Sequence, residues 1–241
     1  MSILSKIFRN ICGDLISIIY PRRCLVCGKI MDGGGEAAIC PICFSKISIT
    51  RFWNDANNPI AERARDLQPM IVHGASMLFY DEYSRPMIHH IKYHNHWYGA
   101  LYLGKILGAY LSRSEFFREI DIVIPIPIHP LRRLQRTYNQ SEYIASGIAK
   151  ELGVETNFKS LYRARYSSPQ VGKDIAGRWN DDTGGFEVTD TKKLEGKHIL
   201  LVDDVYTTGA TIYKAVEILI AEVPDCRISI ATLATSHIYH V

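Results

Sequence analysis

One stretch of the sequence joins an apolar run to two carboxylates and a loop of threonine and glycine: Ile199-Leu200-Leu201-Val202-Asp203-Asp204-Val205-Tyr206-Thr207-Thr208-Gly209-Ala210-Thr211. A short apolar run without polar interruption is typical of a strand that is buried on both faces of a parallel sheet. Open sheets of this kind bind their ligands just beyond the carboxyl ends of such strands. We therefore expect Asp203 and Asp204 to stand at a ligand site.

The residues around this strand end have the chemistry of a site for a phosphorylated sugar. Asp203 and Asp204 can accept hydrogen bonds from vicinal ribose hydroxyls and can orient hydrated Mg²⁺, which prefers oxygen ligands. The loop offers hydroxyl groups, a glycine that permits close approach of the backbone, and the first amides of the next helix. We expect these loop residues to bind phosphate: Thr207, Thr208, Gly209, Ala210 and Thr211.

Other interpretations of this stretch fit less well. A receiver domain also places paired aspartates after a strand, but only 37 residues follow Asp204, too few for the rest of such a domain. A nucleotide-binding P-loop is excluded because the chain contains no GxxxxGKS or GxxxxGKT motif. A purely structural alternative is a capped helix after a buried strand, but a cap does not require two carboxylates, three threonines and a glycine together.

Strand and helix patterns alternate along the chain. Strand patterns cover residues 71–80, 121–127, 198–202 and 227–234, and helix patterns cover residues 84–93, 98–112, 139–152 and 211–221. This alternation predicts an α/β fold, with a mostly parallel sheet flanked by helices. A polar stretch at residues 50–65 predicts a boundary, so we divide the chain into an N-terminal part, 1–53, and a larger domain, 66–241.

The composition indicates a globular protein and says little about partners. The 241 residues are 47% hydrophobic and 22% charged, and the net charge of +3 is too small to indicate nucleic-acid binding by itself. Apolar residues recur at helical spacing over residues 1–20, but charges interrupt them. We therefore predict an amphipathic helix rather than a signal peptide or a membrane span, and a cytoplasmic protein.

The cysteines indicate a metal site in the N-terminal part. Cys24, Cys27, Cys40 and Cys43 form two CxxC pairs, and each pair can present two thiolates to one tetrahedral ion. Because four thiolates leave no open coordination position, we predict a structural Zn²⁺ rather than a catalytic one. The segment has few apolar residues, so we expect metal binding to supply most of its order. A redox pair or two disulfides is the alternative.

These motifs resemble the type I phosphoribosyltransferases, in which a hydrophobic strand, an acidic pair and a TTGxT-like loop form the defining motif. The whole chain resembles the ComF family of competence-associated proteins, including the amphipathic start, the four-cysteine zinc finger and the phosphoribosyltransferase domain. The resemblance implies a site for phosphoribosyl pyrophosphate with Mg²⁺, with Asp203 and Asp204 as catalytic residues. It names no acceptor, because the part of this fold that selects the acceptor varies.

The resemblance adds residues outside the acidic pair and its loop. Residues 165–180 resemble the family's catalytic flap, in which Arg165 and Lys173 would act in catalysis and Arg178 in substrate binding. Cations on such a loop would stabilise negative charge on the departing pyrophosphate. Lys92 resembles a family position near the substrate. The alternative for residues 165–180 is a long polar loop without fixed structure.

The resemblance also covers a segment that runs from Pro125 to Gln140. Residues 125–129 resemble the end of a strand on the pyrophosphate side, and Arg132, Arg133 and Arg136 precede the pair Asn139-Gln140. The family usually has Gly-Phe before this pair, whereas this chain has Thr137-Tyr138. The alternative for the arginines is a solvated surface.

The resemblance leaves two functions open. The protein is a phosphoribosyltransferase, or it is a non-catalytic nucleic-acid-handling protein of DNA uptake that uses the donor pocket to sense a ligand. Arg22, Arg23 and Lys29 near the cysteines favour single-stranded DNA as a partner. Other DNA-uptake proteins would be further partners. The sequence lacks the stacked aromatic platform expected of a dedicated single-strand binder, although Phe44, Phe52 and Trp53 lie just beyond the cysteines.

A histidine cluster carries a weaker signal for metal. Positions four apart on a helix share a face, so two of these side chains could ligate one ion. No cysteine or carboxylate joins them nearby, and exposed helix histidines are the simpler interpretation. The cluster comprises His89, His90, His94 and His96.

Overall fold

The computed structural model describes residues 22–31, 36–93, 96–129, 133–134, 136–163 and 185–236. The helix predicted for residues 1–20 and the flap predicted for residues 165–180, with Arg165, Lys173 and Arg178, lie outside these ranges. Arg132 and His94 lie outside them as well.

Five parallel strands form the central sheet, in the order β1-β7-β6-β2-β3. The strands are β1 (Ile71–Phe79), β2 (Ile122–Pro125), β3 (Glu155–Thr156), β6 (His198–Tyr206) and β7 (Arg227–Thr235). A separate antiparallel pair consists of β4 (Leu161–Arg163) and β5 (Phe186–Val188). The predicted α/β class with a mostly parallel sheet is therefore confirmed.

Helices cover both faces of the sheet. They are α1 (Pro41–Phe44), α2 (Pro59–Leu67), α3 (Ser84–Tyr93), α4 (Trp97–Leu111), α5 (Gln140–Leu152) and α6 (Ala210–Glu222). Alternate residues of β6 enter opposite layers, because successive side chains of a strand point to opposite faces. Leu200 and Val202 share a core with α4 and α5, whereas Ile199 and Leu201 share a core with α6.

Glycines allow α4 and α5 to lie against each other. A Cβ atom added at Gly104 would overlap the backbone of Ile144, and one added at Gly147 would overlap the backbone of Leu101. This close contact holds the first residues of α5 over the carboxyl end of β6.

Strand β6 is longer than predicted. The apolar run ends at Val202, but the strand continues to Tyr206, so the acidic pair lies within it. The reason is its neighbour β7, which still pairs Thr232 with Asp203 after β2 has ended opposite Val202. The acidic pair therefore lies beyond the last residue of β2 that pairs with β6, while β7 still pairs with β6 on the other side.

The polar stretch predicted as a boundary is folded. It contains a 3-10 turn, Phe52–Asn54, and helix α2, whose cap Asn58 is buried and donates its amide to the carbonyl oxygens of Asp55 and Gly74. Trp53 is buried and stacks on Tyr110 with ring centroids 4.3 Å apart. The division into residues 1–53 and 66–241 stays a prediction, but the stretch between the two parts is not an exposed linker.

Candidate functional site

The acidic pair on β6 lies under the first turn of α5. The Ser141 hydroxyl donates to Asp203 Oδ1 at 3.0 Å, and the backbone N–H of Asp204 donates to the same oxygen at 2.8 Å. Asp203 is half-buried, and its carboxylate lines a cavity. One oxygen of this carboxylate is therefore held by two donors, which orients the group towards the loop.

Asp204 has different partners from Asp203. It is 5% exposed, and Lys92 Nζ lies 3.1 Å from its Oδ1 while Gln140 Nε2 donates to its Oδ2 at 2.6 Å. A buried carboxylate needs such a charged partner, because an unpaired charge in the interior is costly. The position that the family resemblance assigned to Lys92 therefore lies at the acidic pair.

The surroundings of Asp203 raise its pKa well above the usual range of an aspartate. Burial and the adjacent Asp204 carboxylate raise the pKa of Asp203 to about 7. The Asp204 N–H, the Ser141 hydroxyl and the Lys92 ammonium group lower this pKa, but they only partly offset the increase. A cation or a hydroxyl donor at Asp203 would favour the ionised form and so release a proton.

The loop after β6 surrounds the same cavity as Asp203. This cavity of about 50 Å³ is lined by Asp203, Val205, Thr207, Thr208, Gly209, Ala210, Thr211 and Ile212. Gly209 has a φ of +79° as the N-cap of α6, and a Cβ atom there would overlap the Tyr213 ring. Glycine is therefore required at this turn. The first residues of α6 line the cavity, and the Ala210 N–H donates to the Thr208 hydroxyl at 3.4 Å.

Sequence reasoning missed two residues of this site, Gln140 and Ser141. Asn139 caps α5 by accepting from the Ser141 N–H, and its amide donates to the Ile126 carbonyl oxygen at 3.1 Å. These bonds tie the start of α5 to the chain just after β2. The pair Asn139-Gln140 was the only sequence signal, because nothing in the sequence says that this helix begins over the acidic pair.

The four cysteines form one cluster with the geometry of a zinc site. Their sulfur atoms all lie within 4.8 Å of one another, and a tetrahedral ion with bonds of about 2.3 Å spaces its sulfur ligands by about 3.8 Å. Cys24 Sγ accepts backbone N–H groups from Val26 and Cys40, which favours a thiolate at this sulfur. All five described cysteines, these four and Cys226, are free of disulfides. The donor set therefore fits a structural Zn²⁺.

Burial contributes more to this module than we expected. Leu25 and Ile39 are 1% and 4% exposed and belong to the same hydrophobic core as Leu103 of α4. Metal binding is therefore not the only source of order in this module, because its apolar residues also pack against the larger domain. Two of the aromatic residues beyond the cysteines are also covered, since Trp53 is buried and Phe52 is half-buried.

Comparison with known proteins agrees with both parts. Residues 139–240 match the phosphoribosyl transferase domain, and residues 15–53 match the double zinc ribbon domain. Competence protein ComFC of Streptococcus pneumoniae is 25% identical over 220 residues, which are 82% of this chain and 93% of that protein. Competence protein F of Haemophilus influenzae is 24% identical over 59% of this chain and 66% of that protein. The chain is therefore similar to competence proteins of the ComF type over most of its length.

Other relatives match a smaller part of this chain. The DNA utilization protein YhgH of Shigella flexneri is 24% identical over 56% of this chain, and the match spans 60% of that protein's length. A solved purine phosphoribosyltransferase from Pyrococcus horikoshii overlaps 60% of this chain and 79% of that chain, with a TM-score of 0.37 and 18% identity. That structural overlap is too low to carry an argument about the site.

The departure from the ComF-family pattern at Thr137-Tyr138 has a structural counterpart. Thr137 has a φ of +65°, in the left-handed region that glycine adopts without strain and a β-branched residue adopts at a cost. Tyr138 is buried and donates its hydroxyl to the Ile91 carbonyl oxygen. The backbone therefore keeps a conformation suited to the glycine that the family usually has, although threonine occupies the position.

Two arginines of the predicted basic cluster have partners of their own. Arg133 pairs with Glu142 at 3.2 Å, and Arg136 stacks on Tyr93 with its guanidinium carbon 5.0 Å from the ring centroid.

Over the described ranges, the four cysteines are the one group of three or more potential metal ligands that lie close enough to share an ion. Within those same ranges, every helix is too short or too polar to cross a bilayer.

Proposed function

We propose that this protein binds phosphoribosyl pyrophosphate with Mg²⁺ at the end of β6 and transfers its phosphoribosyl group to an acceptor. One observation carries this proposal: the Asp203 carboxylate and the loop of residues 207–211 line the same cavity. A diol site and a phosphate site are thereby adjacent, as a ribose 5′-phosphate requires.

Each described residue has a role in this proposal. Asp203 and Asp204 would accept hydrogen bonds from the ribose hydroxyls, and the residues Thr207 to Thr211 would hold the 5′-phosphate with hydroxyl and amide donors. Lys92 would hold the Asp204 carboxylate in place, since its ammonium group lies 3.1 Å from that carboxylate. The half-buried carboxylate of Asp203 also fits Mg²⁺, which would supply positive charge to the pyrophosphate.

The transfer breaks the bond between the ribose C1 and the pyrophosphate oxygen and forms a bond from C1 to the acceptor. The pyrophosphate leaves with the electron pair, so negative charge develops on it. We assign its stabilisation to Arg165 and Lys173, with Arg178 as a further substrate contact, on the resemblance to the family's flap. The proposal leaves the chemical class of the acceptor open.

Calorimetric titration with phosphoribosyl pyrophosphate and Mg²⁺ tests donor binding. The double variant Asp203→Asn, Asp204→Asn keeps the shape of the site and removes both charges, so we expect a loss of saturable binding. The matched control is Asp190→Asn, because Asp190 lies in a surface ion pair with Lys193. Absence of binding to the wild-type protein, or equal binding by the double variant, would contradict the proposal.

A second candidate function is nucleic-acid handling without catalysis, in which donor binding reports a ligand. Two observations favour it: relatives are named for DNA utilization and competence, and Asp204 is already engaged by Lys92 and Gln140. Donor binding without pyrophosphate release in the presence of any acceptor, together with salt-dependent binding of single-stranded DNA, would favour this candidate. A cytoplasmic location and DNA-uptake partners belong to the same proposal.

A further inference from the structure

A larger cavity lies away from the acidic pair, between the cysteine module, residues 24–43 with the flanking Arg22, and the first turns of α4. Its volume is about 510 Å³, within the range of about 300 to 1,000 Å³ that is typical of small-molecule sites. The cavity is lined by four side chains with rings at the start of α4: His96, Trp97, Tyr98 and Tyr102. The donor site proposed above does not include this cavity.

The rings form an ordered group with an exposed member. His96 Nδ1 and the Tyr98 hydroxyl are 3.0 Å apart, and the two rings meet at 77°. Trp97 is 44% exposed and lies 5.6 Å from the Tyr143 ring, tilted by 35°. Neighbours therefore hold one side of Trp97, while much of its surface is open to a planar ligand.

The charges around the cavity are mostly positive. Arg22 and Lys105 line it, and Lys105 pairs with the largely exposed carboxylate of Glu36. Lys105, Lys150 and Arg22 together hold the pKa of Glu36 below its usual range. Two cations, Arg22 and Lys105, and one carboxylate, Glu36, therefore line the cavity, and the excess of positive charge favours an anionic ligand.

A nucleotide combines the two properties that this cavity selects, a planar ring system and a negative charge. We propose that the cavity binds a nucleotide, with the base stacked on Trp97 and the phosphate near Lys105 and Arg22. The ligand is a free nucleotide or one residue of a single-stranded nucleic acid, since both present the same chemistry. This inference extends the nucleic-acid-handling candidate to a named site and does not depend on donor binding at Asp203.

Two probes distinguish the sources of the ligand. Adenosine 5′-monophosphate is titrated by calorimetry, and a fluorescently labelled single-stranded decathymidylate is titrated by anisotropy. Saturable binding of the mononucleotide would identify a free nucleotide as sufficient. Binding of the oligonucleotide alone would identify the site as one that takes a nucleotide within a strand.

Two variants test the stacking and the charge. We expect Trp97→Ala to weaken binding about tenfold or more. We expect Lys105→Gln to weaken binding as well, and to reduce the slope of log K against log salt concentration for the single strand by about 0.7. The matched controls are Phe158→Ala, which removes another exposed ring, and Lys193→Gln, which removes another surface lysine. Thermal melting of each variant verifies that it is folded.

A third variant tests the same site by a gain of affinity. Glu36→Gln removes the carboxylate that competes for Lys105, so it should tighten binding of an anionic ligand. The double variant Asp203→Asn, Asp204→Asn should bind both probes as the wild type does, which separates this site from the donor site. If wild type binds neither probe, or if Trp97→Ala, Lys105→Gln and Glu36→Gln all bind like their controls, the inference is wrong.

Discussion

Strand β6 carries buried polar groups at both ends, and the two ends differ in what surrounds them. At its start, His198 is 2% exposed, its ring nitrogen Nε2 lies 2.9 Å from the Ser229 hydroxyl, and its backbone N–H donates to Asp121 at 2.8 Å. At its other end, Asp203 is held by donors on one oxygen and lines an open cavity. The first end is closed by its neighbours, whereas the second keeps space for a ligand.

Burial shifts the pKa of each group towards its neutral form. It lowers the pKa of His198 to about 4, with further lowering by the charge of Arg227. It raises the pKa of Asp203 to about 7. A perturbed pKa is therefore not by itself a sign of function in this protein, and the cavity beside Asp203 is the feature that distinguishes the two ends.

The largest expected effect is at the open end, in the loop after β6. Gly209→Ala should lower the free energy of unfolding by about 2 to 4 kcal/mol. The new side chain would be strained by the left-handed backbone, and its Cβ atom would overlap the Tyr213 ring. Urea unfolding measures this change. The matched control is Gly153→Ala, since Gly153 has a φ of +72° but no atom near the added Cβ. Equal losses in the two variants would show that the loop tolerates a side chain.

The closed end predicts a dependence of stability on pH. The folded pKa of His198 is about 4, below its unfolded value of about 6.5, so the unfolded state binds the proton first. The contribution of His198 to the free energy of unfolding is fully present above pH 6.5. It falls by up to about 3 kcal/mol as the pH decreases towards 4.

The variant His198→Gln isolates this effect. Asp203 acts in the opposite direction over part of the same window, so the quantity to measure is the difference in stability between wild type and variant by urea unfolding from pH 7 to pH 4. We expect that difference to shrink as the pH falls. A constant difference would mean that His198 does not titrate differently in the folded state.

The free energy of unfolding should depend on pH in the opposite direction at Asp203, in the open end of β6. The folded state holds the proton of Asp203 more tightly than the unfolded state, so the stability from this group is present at low pH and is lost as the pH rises to about 7. Asp203→Asn should therefore raise the free energy of unfolding at pH 8 by about 1 to 2 kcal/mol, and the gain should vanish near pH 4. A variant less stable than wild type at pH 8 would count against this account.

The smallest expected effect concerns the segment that leads into α5 over the open end. Thr137→Gly should raise the free energy of unfolding by about 0.5 to 1 kcal/mol, because relief of left-handed strain exceeds the added entropy of the unfolded chain. Thermal melting measures it, with Thr191→Gly as a control at a 3-10 turn on the surface. A decrease equal to that of the control would mean that Thr137 is not strained.

Much of the framework was predictable because it depends on local patterns. The apolar run before Asp203 predicted a central parallel strand, and the spacing of Cys24, Cys27, Cys40 and Cys43 predicted their cluster. Both signals are short in sequence, so no knowledge of distant residues was needed. The division of the chain at its polar stretch used the same kind of reasoning, but Asn58 and Trp53 show that a polar segment can still be folded.

The sequence by itself determined the strand, the acidic pair, the glycine turn and the four thiolates, because each follows from residue type and spacing within one segment. Only the tertiary structure decided that Gln140 and Ser141 lie on the acidic pair, that Asp203 rather than Asp204 lines the cavity, and that rings at the start of α4 share a second cavity with Arg22 and Glu36. These relations join segments far apart in the chain, and they depend on helix packing that hydrophobic periodicity does not specify.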